Sequence, residues 1–168
     1  MFSLDLPTED YWIALPQGVR VQVRPLDSMT MAAAQSFATS CAQALIAARA
    51  ERTAAGLPAD DIVDLSDADM AAGFAELQLA AGLARFGMIA WEGIGDRDGN
   101  ALPFSRDGAE RLARHPLMTK PFLTGYFAAL ERLAAEGNGS ALSLNGPTAE
   151  GATIAGTVSN SAANVLAS

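Results

Sequence analysis

Cysteine, histidine and lysine each occur only once in this sequence of 168 residues, and each scarcity narrows the range of sites that the chain can build. A lone Cys41 cannot form an internal disulfide or a cysteine-based zinc site, and it fits a reducing compartment. Cys41 also falls on the apolar stripe of a predicted helix, and His115 precedes a proline at a predicted helix end. Both positions favour structural roles over nucleophilic or metal chemistry.

Clusters of positive charge are also missing from the sequence. The basic residues are one lysine, Lys120, and ten arginines that are spread along the chain. They stand against 19 acidic residues, so the formal net charge is −8. Phosphate backbones and anionic membrane surfaces are bound by clustered Lys and Arg side chains. We therefore expect neither nucleic acid nor a membrane as a partner.

Long apolar runs are absent as well. No stretch reaches the roughly 18 apolar residues of a membrane span. Residues 1–15 carry acidic residues, no basic residue and no apolar run of signal-peptide length. The sequence therefore predicts a soluble cytoplasmic protein. Aromatic residues make up 7% of the chain and much of its apolar half is alanine, so we expect one domain with a light core.

Apolar spacing and turn residues predict the order of strands and helices. Residues 11–15 and 19–24 alternate as strands around Pro16-Gln17-Gly18, which predicts an N-terminal β-hairpin. Residues 91–104 predict a second short hairpin that turns at Asp98-Gly99-Asn100. Asp27 or Ser28, then Ser66, then Ser105 are the predicted N-cap residues of three helices. The predicted helices cover residues 28–55, 67–90, 106–114 and 121–137.

The predicted fold class is α+β, mostly α, with a single domain over residues 1–137. Residues 138–168 differ in composition, because they consist mainly of Ser, Thr, Asn, Ala and Gly, with Glu150 as the only charge and no aromatic residue. Such a composition cannot offset the entropy of ordering by burial. The sequence therefore predicts a flexible, disordered low-complexity tail over these residues.

The predicted helix at 67–90 is unusually apolar. Between Ala71 and Ala90 only Glu76 and Arg85 are charged, and apolar residues occupy two different sides. A helix that is apolar nearly all round is buried, either centrally or against another subunit. We therefore expect part of this helix, with nearby aromatic residues, to contact a partner. The candidate partner-binding residues are Met70, Phe74, Leu79, Leu83, Phe86, Trp91 and Tyr126.

Two acidic segments could bind cations, although a simpler interpretation is favoured for each. Residues 96–100 resemble the start of a calcium loop, but Ala101 replaces the required glycine and Asp107 stands where a bidentate glutamate is needed. A hairpin turn explains the same residues. The acidic cluster at residues 60–69 could bind a cation or a basic partner, but such loops are more often solvated.

Motifs for catalysis are missing from the sequence. It lacks a glycine-rich phosphate loop, a nucleophile elbow and a His-Glu-x-x-His pair. We therefore predict no catalytic residues, no metal site and no cofactor, and we expect that the protein is not an enzyme.

Three stretches carry a resemblance to a known family. They are residues 21–26 (VQVRPL), residues 89–104 (IAWEGIGDRDGNALPF), and residues 122–126 (FLTGY), which lead into 136–140 (EGNGS) and the tail. In their order and spacing they resemble the small tail assembly chaperones of long-tailed bacteriophages and prophages. The resemblance covers roughly residues 11–150, by the order of the predicted elements.

The resemblance implies a function in virion assembly through protein–protein interaction. Members of this family bind the tape-measure protein, keep it soluble, recruit tail tube subunits and are absent from the finished virion. In many phages a ribosomal frameshift near the end of the gene produces a longer form. The family has no catalytic residues, and homo-oligomers are a further possibility.

Two other classes remain open from the sequence. One is a structural virion protein, such as a tail or connector component, which shares the acidic and catalytically empty composition. The other is an enzyme or regulator whose site is not recognisable. A structural ring protein usually orders its termini against neighbouring subunits, so the surroundings of residues 138–168 would distinguish it from a chaperone.

Overall fold

A computed structural model describes residues 8–139 of the chain. This part of the chain folds into four helices and one three-stranded antiparallel sheet, so the predicted α+β, mostly α class is confirmed. A short 3-10 turn, Pro16–Gly18, joins the first two strands. In chain order the elements are β1 (Tyr11–Ala14), β2 (Arg20–Val23), α1 (Ser28–Ala54), α2 (Ala68–Gly87), β3 (Met88–Glu92), α3 (Arg106–Ala113) and α4 (Thr119–Gly139).

The N-terminal hairpin forms as the alternating pattern predicted. Strands β1 and β2 pair antiparallel, with Ile13 opposite Val21, and both side chains are buried. The opposite face is more open, and there the guanidinium of Arg20 lies 4.8 Å from the centre of the Trp12 ring. The turn places Gln17 at φ +62° and Gly18 at φ +74°, and it is closed by the Leu15 N–H, which donates to the Val19 carbonyl at 2.8 Å.

The predicted second hairpin is shortened by a third strand of the same sheet. Helix α2 ends at Gly87, three residues earlier than expected, and β3 begins at once and pairs with β2. The hairpin predicted over residues 91–104 forms only around its turn, where Gly95 bridges Ala101 and the Leu102 N–H donates to the Ile94 carbonyl at 2.9 Å. The open edge of β2 explains the difference, because residues 91 and 92 pair with it and not with the second half of the hairpin.

The caps of the helices agree with the sequence except at α2. The Asp27 carboxylate accepts from the Thr30 N–H at 2.6 Å, and the Ser105 hydroxyl accepts from the Gly108 N–H at 3.1 Å. At α2 the cap is Asp67 instead of Ser66. Its carboxylate accepts from the N–H groups of Asp69 and Met70, both at 2.9 Å. The correction is by one residue and has the same physical origin, since the Asp67 carboxylate satisfies N–H groups that have no partner within the helix.

The second half of α2 is the centre of the core. Residues 80–84 and Gln78 are buried, between α1 on one side and α3 on another. Gly82 lies so close to α1 that a Cβ atom there would be 2.9 Å from the Cα and carbonyl oxygen of Ala34. Alanine and glycine thus allow two helices to approach closely, and residues 80–84 of the helix that the sequence assigned to a partner are buried inside the chain.

Helix α4 and the sheet complete the core. Phe122 and Tyr126 of α4 are fully buried, with ring centres 5.6 Å apart. The Tyr11 hydroxyl of β1 donates to the Tyr126 carbonyl at 3.2 Å, which ties the sheet to this helix. The predicted flexible tail, residues 138–168, lies outside the described residues except for its first two, which belong to α4.

Candidate protein-binding surface

The structure divides the seven predicted partner-binding residues between core and surface. Leu83 and Tyr126 are fully buried inside the chain, so their prediction as contact residues is wrong. Leu83 faces the helices that cover α2, and Tyr126 fills the space over Gly87, where there is no side chain. Leu79 is partly buried against the same core, and Phe74, five residues before it along the helix, is also partly buried.

Trp91 has a structural role that the sequence did not reveal. Its indole N–H donates to the Leu102 carbonyl at 2.8 Å, and its ring meets Phe104 edge-on with centres 5.2 Å apart. The ring also lies against the backbone of Gly108, at a place where a Cβ would collide with it. Trp91 therefore holds the loop of residues 93–104 against the start of α3. Its ring is only partly buried, so its role as a partner contact stays a prediction.

Met70 and Phe86 remain exposed, but they do not form one surface. The exposed fractions are 50% for Met70 and 38% for Phe86. Sixteen residues of helix separate them, or about 24 Å along the axis. Phe86 instead packs edge-on against Phe37 of α1, with ring centres 6.3 Å apart. Met70 lies at the other end of α2, next to a different group of exposed apolar residues.

That group lies on a projecting helical hairpin, here called the arm. The arm comprises residues 41–77, which are the second half of α1, the connecting segment and the first half of α2. Only Ala34 of the 27 residues of α1 is buried, and α1 packs chiefly against α2. Four of the nine exposed large apolar side chains in the described residues lie within residues 46–70. They are Ile46 (56% exposed), Leu57 (56%), Val63 (37%) and Met70.

Part of this apolar surface forms a groove, here called the arm groove. Ile46, Ala50 and Ala54 follow one another at every fourth residue along α1 and form one side. Val63 and Leu65 of the connecting segment form the other side, and the groove has a volume of about 660 Å³. Arg49, Thr53, Asp64 and Ser66 complete its lining. A second cleft shares Val63 and extends to Met70.

Two arginines of α1 fix the shape of the groove. Arg49 donates to the carbonyls of Ala59 and Ile62, at 2.9 and 2.6 Å, and to the Asp64 carboxylate at 3.0 Å. Arg52 binds both carboxylate oxygens of Asp61, at 2.6 and 2.7 Å. The connecting segment is therefore held against α1 by charge-assisted hydrogen bonds before any partner arrives. The sequence contained this signal, because two arginines precede an acidic run.

Three of the seven acidic residues of the arm have separate local roles. The Arg52 guanidinium keeps the pKa of Asp61 below its usual value, and the Ser66 N–H, with Arg49, does the same for the pKa of Asp64. Asp67 is the cap of α2. Within residues 8–139, no three His, Cys, Asp or Glu side chains are arranged so that they could hold a metal ion together.

The loop that resembled a calcium site is a turn. The Asp96 carboxylate accepts from the N–H groups of Asp98 and Asn100, both at 2.9 Å, and from the Asn100 side-chain amide at 3.1 Å. These bonds lower the pKa of Asp96, with the Asn100 side chain as the main cause. Gly99 has φ +84°, which explains the glycine at this position. The carboxylate is thus used within the turn.

A second polar cluster, which sequence reasoning missed, joins the helices near the base of the arm. Glu110 of α3 is buried and forms salt bridges with Arg85 of α2 and, at 3.3 Å, with Arg114. Arg114 also donates to Gln78 at 2.8 Å, and both guanidinium groups lie 5.9 Å from the centre of the Phe37 ring. The spacing of Glu110 and Arg114, four residues apart, was the available signal.

The one cysteine and the one histidine of the chain, which are its most reactive side chains, lie on different elements. Cys41 is partly buried on α1. His115 is at the turn between α3 and α4, where its Nδ1 accepts from the Leu117 N–H at 3.3 Å.

None of the helices in the described part of the chain is both long enough and apolar enough to cross a lipid bilayer. No family model matches the chain, and no curated protein or solved structure matches it either.

Proposed function

We propose that this protein is a phage tail assembly chaperone that binds the tape-measure protein in the bacterial cytoplasm and assists assembly of the tail tube. The arm is the proposed binding element, and the protein acts by protein–protein interaction without catalysis. The single observation that carries the proposal is the arm groove, an apolar surface between α1 and a connecting segment that Arg49 and Arg52 hold in place. The tape-measure protein is proposed as the partner because the three sequence stretches resemble those of the tail assembly chaperones.

The geometry of the arm suits a helical client. Tape-measure proteins are long and helical by the resemblance, and a helix-in-groove contact is the usual way to cover an amphipathic helix. The groove side formed by Ile46, Ala50 and Ala54 extends about 12 Å along α1, which matches roughly two turns of a docked helix. The exposed thioether of Met70, at the neighbouring cleft, adapts to irregular apolar surfaces. Transient shielding of many client segments requires such an adaptable site.

Co-expression with the tape-measure protein encoded beside it tests the proposal. The full chain is expected to co-purify with a soluble tape-measure protein. The double variant Ile46→Gln/Val63→Thr removes apolar surface from both sides of the groove and is expected to weaken the complex by roughly five- to thirtyfold. Both side chains are exposed in the free chain, so the variant is expected to keep the wild-type melting temperature. Leu83 is unsuitable for this test because it is buried.

Met29→Gln is the matched control for this experiment. Met29 is 77% exposed and lies on the same helix, about 26 Å from Ile46 along the axis. It is expected to leave the complex unchanged. A soluble tape-measure protein that neither binds the chain nor depends on it would refute the proposal. Stoichiometric copies of the chain in purified particles, detected by mass spectrometry, would favour a structural virion protein instead.

A further inference from the structure

The arm carries most of the net negative charge of the chain. Residues 41–77 contain seven carboxylates and two arginines, a net charge of −5 out of −8 for the whole sequence. Both arginines are already engaged, Arg49 with Asp64 and Arg52 with Asp61. Glu51, Asp60, Asp69 and Glu76 form no salt bridge with any described residue. Of these four, Asp60 lines the cleft that shares Val63 with the arm groove, so uncompensated negative charge lies beside the apolar surface.

Charge complementarity then selects among the possible occupants of the groove. A second copy of this chain would bring another acidic arm to the same place, and like charges at an interface oppose association. An acidic client segment would be repelled in the same way. A helix with Lys or Arg on both sides of its apolar stripe would place those charges against the free carboxylates, with its apolar residues against Ile46 and Val63.

We infer that the arm groove binds an amphipathic helix whose apolar stripe is flanked by Lys and Arg side chains. The inference rests on the proposed function and specifies which segments of the client protein are bound. Asp60 is the carboxylate best placed to contribute, because it lines the cleft beside Val63 and has no basic partner among the described residues. Affinity is expected to fall as the salt concentration rises, because exposed charges are screened.

Three synthetic peptides test the inference with the full chain. The first has a leucine stripe at helical spacing flanked by Lys and Arg. The second has the same stripe flanked by Glu, and the third keeps the basic residues with the leucine order scrambled. Fluorescence anisotropy at low salt is expected to show the first peptide binding at least roughly tenfold more tightly than either of the others. Equal binding of the first two peptides would overturn the charge preference, and equal binding of the first and third would overturn the groove.

Variants of the chain locate the binding. Ile46→Gln is expected to weaken binding of the first peptide by about fivefold, and Asp60→Asn by roughly two- to fivefold. Asp98→Asn makes the same charge change in the loop that follows β3 and serves as the control. It is expected to leave the affinity for the first peptide nearly unchanged. An unchanged affinity in Ile46→Gln, or equal losses in Asp60→Asn and Asp98→Asn, would overturn the inference. So would a dimer of the chain alone, seen by sedimentation, that Ile46→Gln abolishes.

The peptide experiment and the co-expression experiment test different statements, so a negative result in one can be told from a negative result in the other. A tape-measure complex that depends on Ile46, together with equal binding of basic and acidic peptides, overturns the charge preference and leaves the proposed function in place. Tight, groove-dependent binding of the basic peptide without any tape-measure complex supports the inferred surface and removes the proposed function.

Discussion

Tyr126 lies in the centre of the core with the hydroxyl end of its ring against the backbone of Gly87. Its hydroxyl is fully buried and has no hydrogen-bond partner among residues 8–139, while burial raises the pKa of the phenol. The ring supplies apolar contacts with Phe122, and the hydroxyl adds an unsatisfied polar group to the same site. Leaving such a group unpaired in the interior costs about 1–3 kcal/mol. Tyr126 therefore stabilises the fold through its ring alone.

Replacement of this hydroxyl gives a direct prediction. Tyr126→Phe is expected to leave the free energy of unfolding unchanged or to raise it by about 1 kcal/mol, because the buried polar group is removed and the ring remains. Urea denaturation followed by circular dichroism measures the effect. Tyr11→Phe is the control, since it removes a hydroxyl that donates to the Tyr126 carbonyl, and it is expected to cost about 1 kcal/mol. A larger loss in Tyr126→Phe than in Tyr11→Phe would contradict this account.

Helix α2 has two halves with different environments. The first half belongs to the arm and is mostly exposed, while the second half is buried among α1, α3 and α4. One glycine in each half shows the contrast. A Cβ at Gly73 would meet no atom within 4 Å, whereas a Cβ at Gly82 would press on the backbone of Ala34. The close helix crossing at Gly82 therefore belongs to the core and not to the arm.

These two glycines give a matched pair of substitutions. Gly73→Ala is expected to stabilise the protein by about 0.5–1 kcal/mol, because alanine favours helix and the site is open. Gly82→Ala is expected to destabilise it by about 1–3 kcal/mol, since overpacking against the α1 backbone outweighs the same helical gain. Thermal or urea unfolding measures both free energies. If the two variants were stabilised equally, the close crossing of α1 and α2 would be disproved.

The contrast within α2 also explains what the sequence could predict. Val21, Val23 and the caps at Asp27 and Ser105 follow local rules, so the hairpin and most helix bounds could be predicted from neighbouring residues. Leu83 could not be assigned correctly, because its burial depends on how closely Ala34 and Gly82 bring two helices together. The groove was missed for a similar reason, since its second side comes from Val63 in a segment without periodicity.

At the scale of the whole molecule, exposed apolar surface and negative charge are concentrated in the same place. The base of the arm is fixed by Glu110 with its two arginines, and the tip is fixed by Arg49 and Arg52. Between these two polar clusters the helices of the arm have few buried residues of their own. Low burial of this kind gives low local stability, so a partner that covers the arm should suppress its local opening.

Hydrogen–deuterium exchange of the full chain, alone and with the tape-measure protein, is the sharpest test of the arm as the binding element. Amide exchange is expected to slow on binding in residues 46–70 and to remain unchanged in strands β1 to β3. Ile46→Gln/Val63→Thr is expected to abolish that protection, while Met29→Gln retains it. A stable complex in which the arm exchanges as fast as in the free chain, with protection elsewhere, would contradict the assignment of the arm as the binding element.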